Sequence, residues 1–190
     1  FIFKKGKDSV SVIATIQLPA NEHIYSFEAA ANSSSCFVSS NNGLVVGWNM
    51  VTNEQIFSTQ LETDTTLSTM ILYYDNIYNR LFTKTTSNSI VIINPATGKV
   101  TNTIVVNRAR QIISSASKIY ITTGDGQLKI FDATSLVALP GWTVNNNKRE
   151  ASKMLLSPSN KYLIVQNTTN TIAVFDVHAD TILYVIPDHV

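Results

Sequence analysis

The side chains whose types and spacing could do chemistry are few. His23, His178 and His189 stand far apart, without the close spacing that puts two imidazoles on one metal ion. Glu62, Asp64 and Asp75 sit in turn-rich stretches, and none has an evident partner that would separate the pKa values of an acid/base pair. Gly124-Asp125-Gly126 has the small residues of a phosphate loop, but no Lys-Ser/Thr follows and no helix begins there. These observations predict no catalytic residue, no metal site and no cofactor. The basic residues are better placed. Arg108 and Arg110 occupy one polar connection, and Lys148 and Arg149 occupy the next of the same kind. Together they would form a basic rim able to grip carboxylate or phosphate groups in a bidentate manner, partly offset by Asp125 and Glu150. Trp142, in an outer strand interrupted by Leu139-Pro140-Gly141, is either a packing residue or an anchor for a partner.

The elements that must position these residues read as strands. Apolar residues alternate or come in runs of four or five, rich in Val, Ile, Thr and Tyr and punctuated by Asn, Ser, Gly and Asp. The best helical candidate, Phe27 to Asn32, is too short to stand alone, sits between two strand patterns and is not read as a helix. A repeat organises the rest. Val45-Val46-Gly47-Trp48-Asn49, Ile90-Val91-Ile92-Ile93-Asn94, Leu128-Lys129-Ile130-Phe131-Asp132 and Ile172-Ala173-Val174-Phe175-Asp176 align, each an apolar run closed by Asn or Asp. Before each run lies another strand, joined to it by a tight turn such as Asn41-Asn42-Gly43 or Gly124-Asp125-Gly126, where Asn and Gly tolerate positive φ. After each run comes a second turn, clearest in Asn94-Pro95-Ala96-Thr97-Gly98, and an outer strand. The Asn or Asp that opens this turn is placed to accept hydrogen bonds from backbone N–H groups just downstream, so it needs no catalytic explanation.

Four antiparallel strands in about 42 residues is the pattern of one β-propeller blade. The chain resembles the WD-repeat (WD40) family, most closely from Met154 through Ser157-Pro158 and Tyr162-Leu163-Ile164-Val165 to Ile172-Ala173-Val174-Phe175-Asp176. It is a divergent likeness. That family ties each blade with a Gly-His pair, an Asp, a Ser/Thr and a Trp, and no blade here has the full set. Only Trp48 keeps the aromatic donor, while Ile93, Phe131 and Phe175 stand in its place. Blade cohesion is therefore expected to rest mainly on apolar packing. The expected organisation is all-β: a half blade at 1–18 and blades at 19–62, 63–106, 107–145 and 146–190, the last including the start of a further connection. Four and a half blades do not close, and the chain opens on Phe1 rather than Met, so the reading is a segment of a larger six- to eight-bladed ring.

With 14 Lys+Arg against 13 Asp+Glu, the charge is nearly balanced, which disfavours nucleic acid as a partner, and no apolar run is long enough to span a membrane. The single Cys36 allows no internal disulfide, which favours a reducing, intracellular compartment, cytoplasmic or nuclear. Asn32-Ser33-Ser34 and Asn167-Thr168-Thr169 match glycosylation sequons by chance in an Asn- and Ser/Thr-rich chain. The resemblance implies a non-enzymatic scaffold for protein–protein interaction, holding other proteins of a multiprotein complex through acidic or phosphorylated surfaces. The competing class is a lactonase-like or quinoprotein-like propeller enzyme, which needs metal ligands around a channel or a Trp platform; a purely structural blade array is the third reading.

Overall fold

The computed structural model describes residues 2–5, 10–16, 18–20, 22–30, 34–61, 71–86, 89–143, 151–167 and 171–186. These form eighteen strands and no helix. Ile2–Lys5 (β1) and Val10–Ala14 (β2) make a two-stranded sheet within the stretch expected to hold a half blade, 1–18. Four antiparallel sheets of four strands follow, each in sequence order. The first holds Ile24–Ala29 (β3), Ser35–Ser40 (β4), Leu44–Asn49 (β5) and Glu54–Gln60 (β6). The second holds Leu72–Asp75 (β7), Arg80–Thr86 (β8), Ser89–Ile93 (β9) and Val100–Val105 (β10). The third holds Ala109–Ser114 (β11), Lys118–Thr123 (β12), Gln127–Asp132 (β13) and Ala138–Thr143 (β14). The fourth holds Ala151–Leu156 (β15), Tyr162–Asn167 (β16), Ile172–Asp176 (β17) and Thr181–Ile186 (β18). The repeated apolar runs are β5, β9, β13 and β17, the third strand of each four-stranded sheet.

Two compact units emerge, Phe1–Thr86 with Val91–Thr103, and Ser87–Ile90 with Ile104–Val190. In the first, Phe37 and Val45 from the β3–β6 sheet share one apolar cluster with Leu72, Leu81 and Ile93 from the next. Period-two alternation sends Phe37 to the side of its strand that meets the neighbouring sheet, where its ring lies 5.3 Å from Tyr74 and 6.2 Å from Phe57. A polar stitch reinforces the contact: Thr59 Oγ1 donates to the Gly98 carbonyl at 2.7 Å. Gly98 has φ +71°, and a Cβ there would sit 2.5 Å from Thr59 Oγ1 and 2.6 Å from the Phe57 ring, so both backbone and space demand glycine.

In the second unit the β11–β14 sheet packs on the β15–β18 sheet. Tyr120, Leu128 and Ile130 from one, and Met154, Leu163, Val165 and Phe175 from the other, form a single buried cluster, with Trp142 half-buried over Phe175 at a ring separation of 4.6 Å. Polar stitches again accompany the packing. Gln111 brackets the Met154 peptide: its Nε2 donates to the Met154 carbonyl at 3.2 Å, and its Oε1 accepts from the Met154 N–H at 2.5 Å. Lys118 donates to the Val177 carbonyl at 3.4 Å and pairs with Asp180. Both sheet pairs thus combine an apolar cluster with side-chain-to-backbone bonds that cross from one sheet to the next.

The outer strand read as interrupted at Leu139-Pro140-Gly141 is continuous. Strand β14 carries a bulge instead, with Leu128 opposite Trp142 but Ile130 opposite Leu139. Pro140 lacks an N–H, and the extra residue removes it from the ladder without ending the strand. A Cβ on Gly141 would meet the Leu128 carbonyl oxygen at 2.6 Å, so the bulge needs glycine.

Phe175→Ala empties the centre of the second unit's core and is expected to lower stability by about 3–5 kcal/mol, read as a fall in the urea midpoint. Gln111→Ala leaves the Met154 amide and carbonyl without their partners and should cost about 1–3 kcal/mol in the same titration.

Candidate interaction surface

Within each unit, the connection entering a sheet meets the turn between its second and third strands. In the β3–β6 sheet, the Asn41 N–H donates to the His23 carbonyl at 3.0 Å, while the His23 N–H donates to Asn41 Oδ1 at 2.7 Å. Asn42 Nδ2 donates to Glu22 Oε1 at 3.3 Å, and Gln60 Nε2 to the Asn42 carbonyl at 2.6 Å. In the β11–β14 sheet the same pairing joins the Gly124 N–H to the Arg108 carbonyl at 2.8 Å. Asn, Gly and Asp permit these tight reversals, and the two chain segments are stitched into one small platform.

This stitching brings Arg108 and Arg110 together. Their Nε atoms each lie 3.2 Å from where a Cβ on Gly124 would be, so both guanidinium groups lie over the bare Gly124 backbone. Arg108 is exposed, with φ +54°, and Arg110 is half-buried. The neighbouring Asp125 is turned inward, its Oδ1 taking the Thr123 hydroxyl, while Thr123 Oγ1 accepts from the Gln127 N–H at 3.1 Å. Arg108 lies in the connection, whereas Arg110 falls within strand β11 rather than in the connection as expected; the two guanidinium groups side by side suit planar, bidentate recognition of an oxyanion. Lys148 and Arg149 lie outside the described residues, as do Glu62, Asp64, Glu150 and His189. Trp142 lies elsewhere on the same sheet, its ring engaged with Phe175.

At the other end of each sheet the repeated Asn/Asp position performs the local task expected of it. Asn49 Oδ1 accepts from Val51 and Thr52 N–H at 2.8 and 3.1 Å, and Asn94 Oδ1 from Ala96 N–H at 2.9 Å. Asp132 Oδ1 accepts from Thr134 and Ser135 N–H and from the Ser135 hydroxyl, and Asp176 Oδ1 from His178 and Ala179 N–H. These bonds stabilise the ionised carboxylate. The Ser135 backbone N–H is the main cause that lowers the Asp132 pKa, and the Ala179 N–H does the same for Asp176. Trp48 does not make a blade-spanning tie; its indole N–H donates to Asn53 Oδ1 at 3.3 Å, within the adjacent turn. His23 and His178 are exposed, and His178 lies in the turn that Asp176 organises. Among the described residues, no three His, Cys, Asp or Glu side chains cluster as metal ligands, and no helix is long and apolar enough to cross a membrane. Cys36 is buried, and its burial raises the thiol pKa. Of the sequons, Asn32 lies outside the described residues, and Asn167 ends strand β16.

No protein-family model matches the chain, and no curated protein matches it. Solved structures do. BamB from Moraxella catarrhalis superposes with a TM-score of 0.73 at 13% identity, over 97% of this chain and 60% of that one. The β-propeller domain of Myceliophteria thermophila Cps50 (Swd1) superposes with a TM-score of 0.72 at 12% identity, over 90% of this chain and 58% of that one. The sheets therefore have the fold of β-propeller blades, and the chain spans about three-fifths of the length of these structures.

Asp132 has a folded-state pKa below its ordinary value of 3.8, so its contribution to stability is present above that value and is lost as pH falls through the folded pKa. Asp132→Asn is expected to flatten the acid limb of the stability profile below about pH 4. Acid unfolding followed by circular dichroism checks it, and an unchanged acid limb would refute the carboxylate's role in the turn.

Proposed function

We propose that this chain is a non-enzymatic interaction platform, a run of propeller blades from an intracellular assembly protein that binds partner proteins through its basic loop surface. The observation that carries this reading is the pair of guanidinium groups, Arg108 and Arg110, gathered over Gly124 by the hydrogen bond between the two loops. Two donor forks side by side favour a carboxylate cluster or a phosphorylated side chain on the partner. Lys148 and Arg149, in the next connection of the same kind, extend the proposed rim. Trp142 joins it as a secondary contact, since its ring is only half-buried. Propeller folds also host enzymes, so the fold alone does not carry the reading; the basic pair does. The solitary, buried Cys36 supports an intracellular setting, because this chain draws nothing from disulfides.

The test is comparative affinity purification with mass spectrometry. The four-site charge reversal at Arg108, Arg110, Lys148 and Arg149 should lose a defined set of bound proteins. Arg108→Gly, which suits the left-handed backbone and so removes one fork without straining the turn, should weaken the same set. Reversal at the exposed Lys99 and Lys129 serves as the control. Retention of every partner by a folded four-site variant would defeat the rim, and co-purification of a stoichiometric small-molecule cofactor would favour a propeller enzyme instead.

A further inference from the structure

The turn beneath the arginine pair has a counterpart in the first four-stranded sheet. Ser40-Asn41-Asn42-Gly43 and Thr123-Gly124-Asp125-Gly126 close in the same way: the Gly43 N–H donates to the Ser40 carbonyl at 3.3 Å, and the Gly126 N–H to the Thr123 carbonyl at 3.1 Å. The Asn41 and Gly124 N–H groups donate to the carbonyls of His23 and Arg108, so Gly124 stands where the first sheet has Asn41. Gly43 and Gly126 need glycine for their backbone, with φ +80° and +78°. Gly124 does not: its φ lies outside the left-handed region, and Asn41 carries a side chain at the same place. Glycine at 124 serves space instead. A Cβ there would meet Arg108 Nε and Arg110 Nε at 3.2 Å each and Arg110 Nη2 at 3.4 Å. Both guanidinium groups thus approach one point, their Nε atoms no more than twice 3.2 Å apart. In the first sheet the register puts His23 and Tyr25 at the positions of Arg108 and Arg110, so the two arginines and the bare glycine occur together. Arg108 is held at φ +54°, a conformation that costs backbone energy in a bulky residue.

We propose that Arg108 and Arg110 bind one phosphomonoester, the phosphoserine or phosphothreonine of a partner protein; this deepens the interaction-platform reading and rests on it. The count of oxygens and charges selects that group. A carboxylate offers two oxygens and one charge, which a single guanidinium fork satisfies. A nucleic-acid phosphodiester also has two non-bridging oxygens and one charge. A phosphomonoester has three terminal oxygens and about −1.5 to −2 charges at pH 7, matched by two forks and two positive charges that meet at one point.

Fluorescence anisotropy on the full-length protein tests this, with labelled short degenerate peptides that carry phosphoserine, glutamate or serine at the centre, and with oligothymidylate. The phosphoserine pool should bind at least ~10-fold more tightly than the glutamate pool, with inorganic phosphate competing only at far higher concentration. Arg108→Gly and Arg110→Gln should each bring the phosphoserine pool down to the glutamate level, while Lys129→Glu changes nothing. Gly124→Asn installs the residue of the first sheet and keeps both charges; it should weaken the phosphoserine pool ~10-fold and the glutamate pool by no more than ~2-fold. Urea midpoints check that each variant is folded. Equal affinity for phosphoserine and glutamate, lost with the arginines, overturns the phosphate assignment and leaves the basic rim standing. Inorganic phosphate competing as well as the peptide overturns the partner protein as source, and tighter binding of oligothymidylate overturns the oxygen count. A folded Gly124→Asn variant that binds phosphoserine as the unsubstituted protein does overturns the geometry. Failure to bind any pool, where the four-site reversal still strips partners, overturns the proposal while the platform reading survives.

Discussion

Every blade depends on one constraint: a four-stranded sheet with apolar residues on both faces cannot bury either by itself. Side chains alternate along a strand, so β13 sends Leu128 and Ile130 to one side and Phe131 to the other, while β17 sends Phe175 toward the β11–β14 sheet. Burial of each large side chain is worth about 1.5–3 kcal/mol, and it is obtained only when a neighbouring sheet supplies the other half of the contact. Stability is then distributed along the repeats as a series of interfaces rather than held in one centre.

The polar interactions make sense against that background. Apolar packing is non-directional, whereas a hydrogen bond names its partner atom. The Gln111 bracket on the Met154 peptide, the Thr59 bond to the Gly98 carbonyl and the Lys118 contacts with Val177 and Asp180 each bind a side chain to a particular backbone position next door. They choose the register in which the apolar surfaces meet. The turns need no such help, because Asn49, Asn94, Asp132 and Asp176 satisfy their own downstream N–H groups. The Arg108–Arg110 pair lies at the opposite end of its sheet, where the bond from the Gly124 N–H to the Arg108 carbonyl ties the two segments together.

Strand identity, hairpin turns, the four-strand period and the task of the Asn/Asp position follow from residue type within a few positions. Val and Ile runs favour pleated strands, Asn and Gly permit positive φ, and an Asx side chain reaches N–H groups two and three residues on. Those effects are local, so the amino-acid sequence by itself determined them. The tertiary structure decided what depends on residues distant in the chain. Gln111 looks like any half-polar strand residue until Met154, 43 positions later, lies beside it. Pro140-Gly141 resembles a strand break until the Leu128 carbonyl shows that a bulge fits there. Trp48, the residue that most suggested a blade-spanning tie, spends its N–H on Asn53 because that turn oxygen is within reach. Arg108 and Arg110 become a pair only when Gly124 removes a Cβ from between them and the backbone bond holds the two loops together. Local propensity is additive along the chain, whereas a contact between segments depends on both partners and on the packing that brings them within a few ångströms.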